Sequence, residues 1–358
     1  MADKDLASLR QQIDDLDQRL VEVLNDRARV SIEIGRLKQA AAVPSPIYAP
    51  DREAEVYARL AAISPGPLPF EGLKAIYGEI ISASRKLQRP LAVAFLGPEA
   101  TFSHQAAISQ FGRSTTYLPV ATIPDVFKET EAGRADYGVV PIENSIEGAV
   151  SFSLDSFVDS ELKACSEFRL EVHQALMSRV PLEQVKVVYS HPQAIAQCRN
   201  WLRTHLPNVP LVETASTAGA AVQAASEEHA AALGPELAAD AHGLSVLEPR
   251  AEDAAGNVTR FLVIGPHLGE RTGRDRMALL FSIKDRVGVL RDVLAMFAQS
   301  GVNLTKIESR PSKRRAWDYL FFADLEGHPD DPGMAKVLDD LRELTVFVKV
   351  LGAWRRTD

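Results

Sequence analysis

The chain has 358 residues, enough for two to four domains, and its 46% hydrophobic and 25% charged residues exclude a disordered or collagen-like bulk. Two cysteines exclude a disulfide scaffold or four-cysteine zinc site, and without a secretory signal or a run of ~18 apolar residues a cytoplasmic, non-membrane protein is expected. Residues 1–89 carry 13 basic and 13 acidic side chains, so the net charge of −8 falls in the remainder, and no basic stripe suggests nucleic acid as a partner.

Residues 4–39 read as one long helix. Leu6, Leu9, Ile13, Leu16, Leu20, Val23, Val30, Ile34 and Leu37 recur at alternating spacings of three and four, a heptad seam. A seam that long cannot be covered by a small domain, so a helical partner is expected. A second helix is predicted over 51–63 and a third over 70–88, separated by the proline-rich loop 64–69. From Leu91 the texture changes. Strand-like runs at 91–96, 137–142, 185–189, 230–233 and 261–264 alternate with helical segments at 103–111, 124–132, 192–206 and 217–226. This alternation predicts an α/β domain, with room for two lobes and a cleft. A polar linker over 265–275 precedes strand, helix, strand, strand, helix and strand at 277–283, 288–299, 302–309, 317–323, 334–341 and 346–351. That βαββαβ order is ferredoxin-like. The predicted domains are therefore 1–90 (all-α helical), 91–266 (two-lobed α/β) and 276–354 (ferredoxin-like).

Arg27 interrupts the seam where an apolar residue belongs. Alone it could snorkel or pair with a neighbouring carboxylate. Lys38 lies three turns on, near the same face; Arg52 and Glu53 open the second helix; Ser84 and Gln88 sit one turn apart on the third. Cations with neutral hydrogen-bonding groups suit a small dianion. With Arg10, these residues resemble the all-helical chorismate mutase family over residues 5–89. The resemblance implies that Arg10, Arg27, Lys38 and Arg52 bind carboxylates and the ether oxygen, and that Glu53, Ser84 and Gln88 contact the hydroxyl, a carboxylate and the ether oxygen. Lys38 and Gln88 would stabilise charge on the breaking ether bond as chorismate rearranges to prephenate. One departure is Ala49-Pro50, where the family often has an aspartate. Arg10 and Arg27 lie ~25 Å apart along a straight helix, so one small ligand can touch both only across two subunits. A homodimer or higher homo-oligomer is expected.

In the middle region, polar loops follow strands at 97–103, 141–145 and 190–193, and a fourth polar segment, 252–260, enters a strand. Ligands gather at the carboxyl ends of strands in open α/β sheets, although capping alone would explain any one loop. Together the four resemble prephenate dehydratase, most specifically through Asn257 and Thr259-Arg260-Phe261. The resemblance implies that Thr259 is catalytic and that Thr101, Glu143, Asn144, Ser145, Ser190, His191, Gln193 and Arg260 bind substrate. Prephenate would lose carbon dioxide and hydroxide to give phenylpyruvate. Thr259 would donate a hydrogen bond to the leaving group, with Glu143 or His191 as proton source. Ala100 stands where the family commonly has glycine.

In the last domain, Asp285-Arg286-Val287-Gly288-Val289-Leu290 turns into a helix, and Glu308-Ser309-Arg310-Pro311 ends a strand. A helix start and a charged strand end suit the carboxylate and ammonium of an amino acid. The pair resembles the ACT regulatory domain, which implies L-phenylalanine bound by Gly288, Val289, Leu290, Glu308, Ser309, Arg310 and Pro311. Val289 replaces the usual alanine. The three resemblances in metabolic order identify the chain with bifunctional chorismate mutase–prephenate dehydratases that use no cofactor or metal and are feedback-inhibited by L-phenylalanine. The alternatives are a monofunctional dehydratase whose helices only dimerise, and a non-catalytic amino-acid-sensing regulator.

Overall fold

The computed structural model describes residues 6–40, 46–283, 286–311 and 319–356. Asp285 and Trp317, both used in the sequence reading, lie outside that set. The chain divides into two compact units, Met1–Leu91 with Phe111–Thr116, and Ala92–Gln110 with Tyr117–Asp358.

The first unit is helical: α1 (Leu6–Ala40), α2 (Pro50–Ile63) and α3 (Phe70–Gln88). All nine apolar seam residues of α1 are exposed. Gly35 faces α3 so closely that a Cβ there would stand 2.8 Å from the Cα of Gln88. Only glycine permits that approach. Arg85 of α3 is buried; its guanidinium donates to the Phe111 carbonyl at 2.7 Å and lies 5.7 Å from the Tyr48 ring.

The second unit begins β1 (Ala92–Leu96), α4 (Phe102–Phe111), β2 (Thr116–Val120), α5 (Ile123–Glu131), β3 (Tyr137–Asn144), β4 (Gly148–Ala149), α6 (Ser151–Asp159) and β5 (Lys163–Glu171). A second lobe follows: β6 (Ala175–Ser178), β7 (Val187–Ser190), α7 (Pro192–Gln197), α8 (Arg199–His205), β8 (Leu211–Glu213), α9 (Thr217–Ser226), β9 (Ala230–Gly234), α10 (Leu237–His242) and β10 (Ser245–Glu248). Then β11 (Val258–Gly265) returns to the first lobe. The module β12 (Asp275–Ile283), α11 (Val289–Gln299), β13 (Leu304–Pro311), β14 (Tyr319–Glu326), α12 (Met334–Leu344) and β15 (Thr345–Arg355) completes the chain with the predicted βαββαβ order.

The single helix predicted over 192–206 is two. The chain breaks at Cys198, and the Asp253 carboxylate accepts the Asn200 and Trp201 amides at 2.8 Å, capping α8 from a distant loop. The strands β2, β4, β5, β6, β8 and β10 and the helices α6 and α10 carry no strand or helix prediction.

The second lobe holds a five-stranded sheet, β10-β6-β9-β7-β8. The other strands form one ten-stranded sheet, β13-β14-β12-β15-β5-β11-β3-β1-β2 with β4 on β3, so the C-terminal module continues the sheet of the first lobe, with residues 266–274 joining β11 to β12. The junction is the parallel pair Gly352↔Ala164, where a Cβ on Gly352 would stand 2.3 Å from the Ala164 carbonyl oxygen. Strands β12 and β14 are buried on both faces. Met277, Leu279 and Phe281 pack with Val293 and Phe297 of α11 and Leu338 and Leu341 of α12. Ala278, Leu280 and Phe322 pack instead with Ile142, Leu154, Phe157 and Leu262 of the first lobe.

Candidate active sites

The larger unit contains a cleft of about 880 Å³, reached by the carboxyl ends of β1, β3 and β7 and by the starts of α4, α7 and α9. Its centre is the pairing of β3 with β11, which sets Asn144 opposite Thr259 and Glu143 opposite Arg260. Successive residues of a strand point to opposite faces. Asn144 and Thr259 accordingly line the cleft, whereas Glu143 and Arg260 do not.

Asn144 is held on every side. Its Oδ1 accepts the amides of Ile146 and Glu147 at 2.9 and 3.1 Å, and its Nδ2 donates to Asn257 Oδ1 at 2.7 Å and to Thr259 Oγ1 at 2.9 Å. A hydroxyl that accepts from an amide keeps its own hydrogen for another partner. Behind this pair, Asn257 and Gln174 both donate to Gln197 Oε1, at 3.4 and 3.1 Å. Glu252 accepts the Gln174 amide at 2.9 Å and contacts His173 Nδ1 at 2.8 Å.

Around the rim, Thr101 Oγ1 donates to the Pro98 carbonyl at 3.0 Å and accepts the His104 amide at 3.3 Å. Ala100 has φ +59, a region glycine enters freely, and its amide donates to His104 Nδ1 at 3.0 Å. Burial holds His104 below the ordinary imidazole value, with Glu99 opposing. The Gln193 amide donates to His191 Nδ1 at 3.3 Å, which leaves the ring proton of the neutral form on Nε2. Ser216 caps α9 by accepting the Gly219 amide at 3.0 Å. Among the described lining residues there is no lysine or arginine, and Glu147 is the one carboxyl side chain. Anion binding there would fall to helix starts and neutral donors.

Thr101, Asn144, His191, Gln193 and Thr259 thus line one cleft. Four predicted members do not. Glu143 turns to Lys306 Nζ at 2.8 Å. Arg260 pairs with Glu167 at 2.6 Å and Asp324 at 2.7 Å; burial alone would lower its pKa, and those two carboxylates outweigh it and raise it. Ser190 is fully buried and donates to the Leu233 carbonyl at 2.8 Å. Ser145 ties its loop to the Gly256 carbonyl at 3.2 Å and accepts the Val258 amide at 3.0 Å. Sequence reasoning missed Glu147, Gln174, Gln197, Ser216 and Thr217. Ser216-Thr217 carried a readable signal, a cap type opening an alanine-rich helix. The glutamines carried none.

In the helical unit, Arg27 donates to Ser84 Oγ, and Gln88 lies against Gly35, so these residues share the α1–α3 face. Gln88 Oε1 is buried without a hydrogen-bond partner, a state that favours a donor-bearing ligand. Lys38 Nζ donates to the Pro46 carbonyl at 2.7 Å. Glu53 is paired with Arg85, a residue the sequence reading did not single out; burial raises the Glu53 pKa and Arg85 opposes that rise. Arg52 points outward to Glu55 at 2.7 Å. Arg10 is exposed near the start of α1, seventeen residues before Arg27.

In the C-terminal module Gly288 adopts φ +82 at the start of α11, and Val289 is buried beneath it. Glu308, Ser309, Arg310 and Pro311 lie on β13. Arg310 is engaged rather than open: it donates to Asp155 Oδ1 at 3.1 Å and to Ser151 Oγ. Among the described residues, no three His, Cys, Asp or Glu side chains cluster as a metal site, and no helix is long and apolar enough to cross a membrane.

Residues 9–89 match the family model for chorismate mutase type II, residues 93–268 that for prephenate dehydratase, and residues 277–343 that for the ACT domain. A bifunctional chorismate mutase/prephenate dehydratase of Aquifex aeolicus is 45% identical over 98% of each chain. One from Stutzerimonas stutzeri is 41% identical over 98% of this chain and 97% of its own. Among solved structures, a prephenate dehydratase of Arthrobacter aurescens in complex with L-Phe is 35% identical, with a TM-score of 0.68 over 74% of this chain and 90% of its own. Full-length matches that include the helical region do not favour a merely dimerising segment or a non-catalytic sensor. The chain belongs to the bifunctional chorismate mutase/prephenate dehydratase family.

Proposed function

We propose that residues 1–90 rearrange chorismate to prephenate, residues 91–266 convert prephenate to phenylpyruvate, and residues 276–354 bind L-phenylalanine as a feedback inhibitor, in a cytoplasmic homodimer or higher homo-oligomer. The observation that carries the dehydratase assignment is the Asn144–Thr259 hydrogen bond inside the cleft. The amide turns the Thr259 hydrogen toward the ligand, where it stabilises the departing hydroxide. Prephenate dianion plus one proton gives phenylpyruvate, carbon dioxide and water. An ordinary threonine hydroxyl is a poor acid, so the proton needs another source. Glu143 faces Lys306 rather than the cleft, and the Gln193 amide already occupies His191 Nδ1. Glu147 takes the role, as the one carboxyl side chain among the described residues that line the cleft. The starts of α4 and α9, with His191 and Gln193, hold the carboxylates.

The mutase reaction transfers no proton. Arg27, Lys38 and Ser84 hold the compact reactive conformer, Gln88 Nε2 donates to the ether oxygen, and the orphaned Gln88 Oε1 accepts from the ligand's hydroxyl. The exposed seam of α1 supports a second subunit that supplies Arg10.

The test is to give the purified chain chorismate and follow prephenate and phenylpyruvate with and without L-phenylalanine. Wild type yields phenylpyruvate, and Thr259→Val stops at prephenate. Phenylpyruvate formed at the wild-type rate by Thr259→Val would overturn the dehydratase assignment.

A further inference from the structure

The strand carrying Glu308–Pro311 does not stand clear of the dehydratase. Along β13, Lys306, Glu308 and Arg310 are half-buried while Thr305, Ile307, Ser309 and Pro311 are exposed, the alternation of a strand with one face packed. The packed row grips the catalytic lobe at two points. Lys306 Nζ meets Glu143 Oε2 at 2.8 Å, and Glu143 immediately precedes Asn144. Arg310 Nε meets Asp155 Oδ1 at 3.1 Å and its other arm meets Ser151, which immediately follows the cleft residue Val150.

A third tie runs from the neighbouring strand. Asp324 of β14 pairs with Arg260 at 2.7 Å, and Arg260 immediately follows Thr259. Asp324 is also the register partner of Lys306. Glu167, fully buried, closes the cluster by binding Arg260 at 2.6 Å and Arg276 at 2.8 Å. The cluster balances three carboxylates (Glu143, Glu167, Asp324) against three cations (Arg260, Arg276, Lys306). Its inner members, Glu167, Arg260, Arg276 and Asp324, sit where water is scarce, whereas the Glu143–Lys306 pair lies at the more exposed edge. Three residues that form the cleft wall, Asn144, Thr259 and Val150, each have a chain neighbour bonded to β13 or β14.

We propose that Lys306 and Asp155 are positioning residues that transmit the effector's occupancy of the C-terminal module to the dehydratase cleft. The inference rests on the reading that L-phenylalanine binds that module. An effector held at Glu308–Pro311 shifts β13, and the Lys306–Glu143 and Arg310–Asp155 pairs carry the shift to both sides of the loop that links Asn144 to α6. The Asn144–Thr259 alignment is then lost without any contact between effector and substrate.

The test uses the full chain, with prephenate as substrate and L-phenylalanine at saturation, its binding followed by calorimetry. Wild type is expected to bind L-phenylalanine and to lose about tenfold or more of its dehydratase rate. Lys306→Met with Asp155→Asn is expected to keep its basal rate and bind L-phenylalanine, but to lose less than about twofold at saturation. Lys306→Arg, which keeps the charge, restores inhibition. A double variant inhibited as fully as wild type overturns the proposal. So does one that no longer binds L-phenylalanine, because the residues would then serve the effector site itself. A wild-type chain that binds no L-phenylalanine refutes the underlying reading instead, and the proposal with it.

Discussion

Asn144 reaches across from β3 to Thr259 on β11, and the bond has a direction: the amide gives and the hydroxyl receives, at 2.9 Å. Asn144→Asp keeps the acceptor for the Ile146 and Glu147 amides but replaces the donor with a carboxylate oxygen. Thr259 then donates to Asp and has no hydrogen left for the leaving group. Dehydratase kcat should fall by roughly 10²–10³ in Asn144→Asp and in Thr259→Val alike, the cost of one oriented donor. Mutase turnover in the same preparations should be unchanged, and steady-state assays of both reactions check this.

The two acidic residues of the Glu143–Glu147 segment separate by face. Glu147→Gln should lower dehydratase kcat by about 10²-fold and abolish the basic limb of its pH–rate profile, the signature of a missing general acid. Glu143→Gln should leave the shape of that profile intact. A profile altered by Glu143→Gln and not by Glu147→Gln would return the proton to the residue first named from sequence.

Gly35 decides how closely α1 meets α3. In Gly35→Ala the new methyl would sit 2.8 Å from the Cα of Gln88, so the helices must part. Parting them moves Gln88 off the ether oxygen and disturbs the Arg27–Ser84 contact. Mutase kcat/KM should drop by about 10²-fold while dehydratase kcat stays within about twofold. Parallel assays with chorismate and prephenate give both numbers.

His104 makes the cleft rim sensitive to acid. Its pKa in the fold is depressed below the ordinary 6.5 by burial, with Glu99 opposing. A depressed folded value means the neutral ring is preferred in the native state. Its contribution to stability is therefore complete above pH 6.5 and is lost as pH falls through the lower folded value. Protonation also removes the acceptor for the Ala100 amide. The urea midpoint of the wild type should decline on acidification from about pH 7 to about pH 5 more steeply than that of His104→Asn, which keeps an acceptor and cannot titrate.

Much of the organisation is legible in the sequence. The third helix matches its predicted span residue for residue, and Thr217–Ser226 does likewise, because apolar spacing, caps and prolines are local signals. The seam on α1 announced an uncovered face for the same reason. Strand β5 shows the limit. Its run Lys163–Glu171 contains two glutamates and two basic residues and reads as surface, yet Glu167 is fully buried because Arg260 and Arg276, about a hundred residues away, neutralise it.

The site divides the same way. Polar side chains at strand ends mark the loops, and the resemblance to prephenate dehydratase singles out Thr259, Asn144, Thr101, His191 and Gln193 within them. Neither signal could separate Asn144 from Glu143 or Thr259 from Arg260. Adjacent residues on a strand face opposite ways, and which face borders the cleft depends on what packs behind it. The sequence by itself determined three modules, their order and the chemistry at their loops. Only the tertiary structure decided that the last module continues the dehydratase sheet through Gly352 and Ala164, and so which charged residues are buried between them. That pairing is a contact between segments far apart in the chain, and nothing in either segment alone encodes its partner.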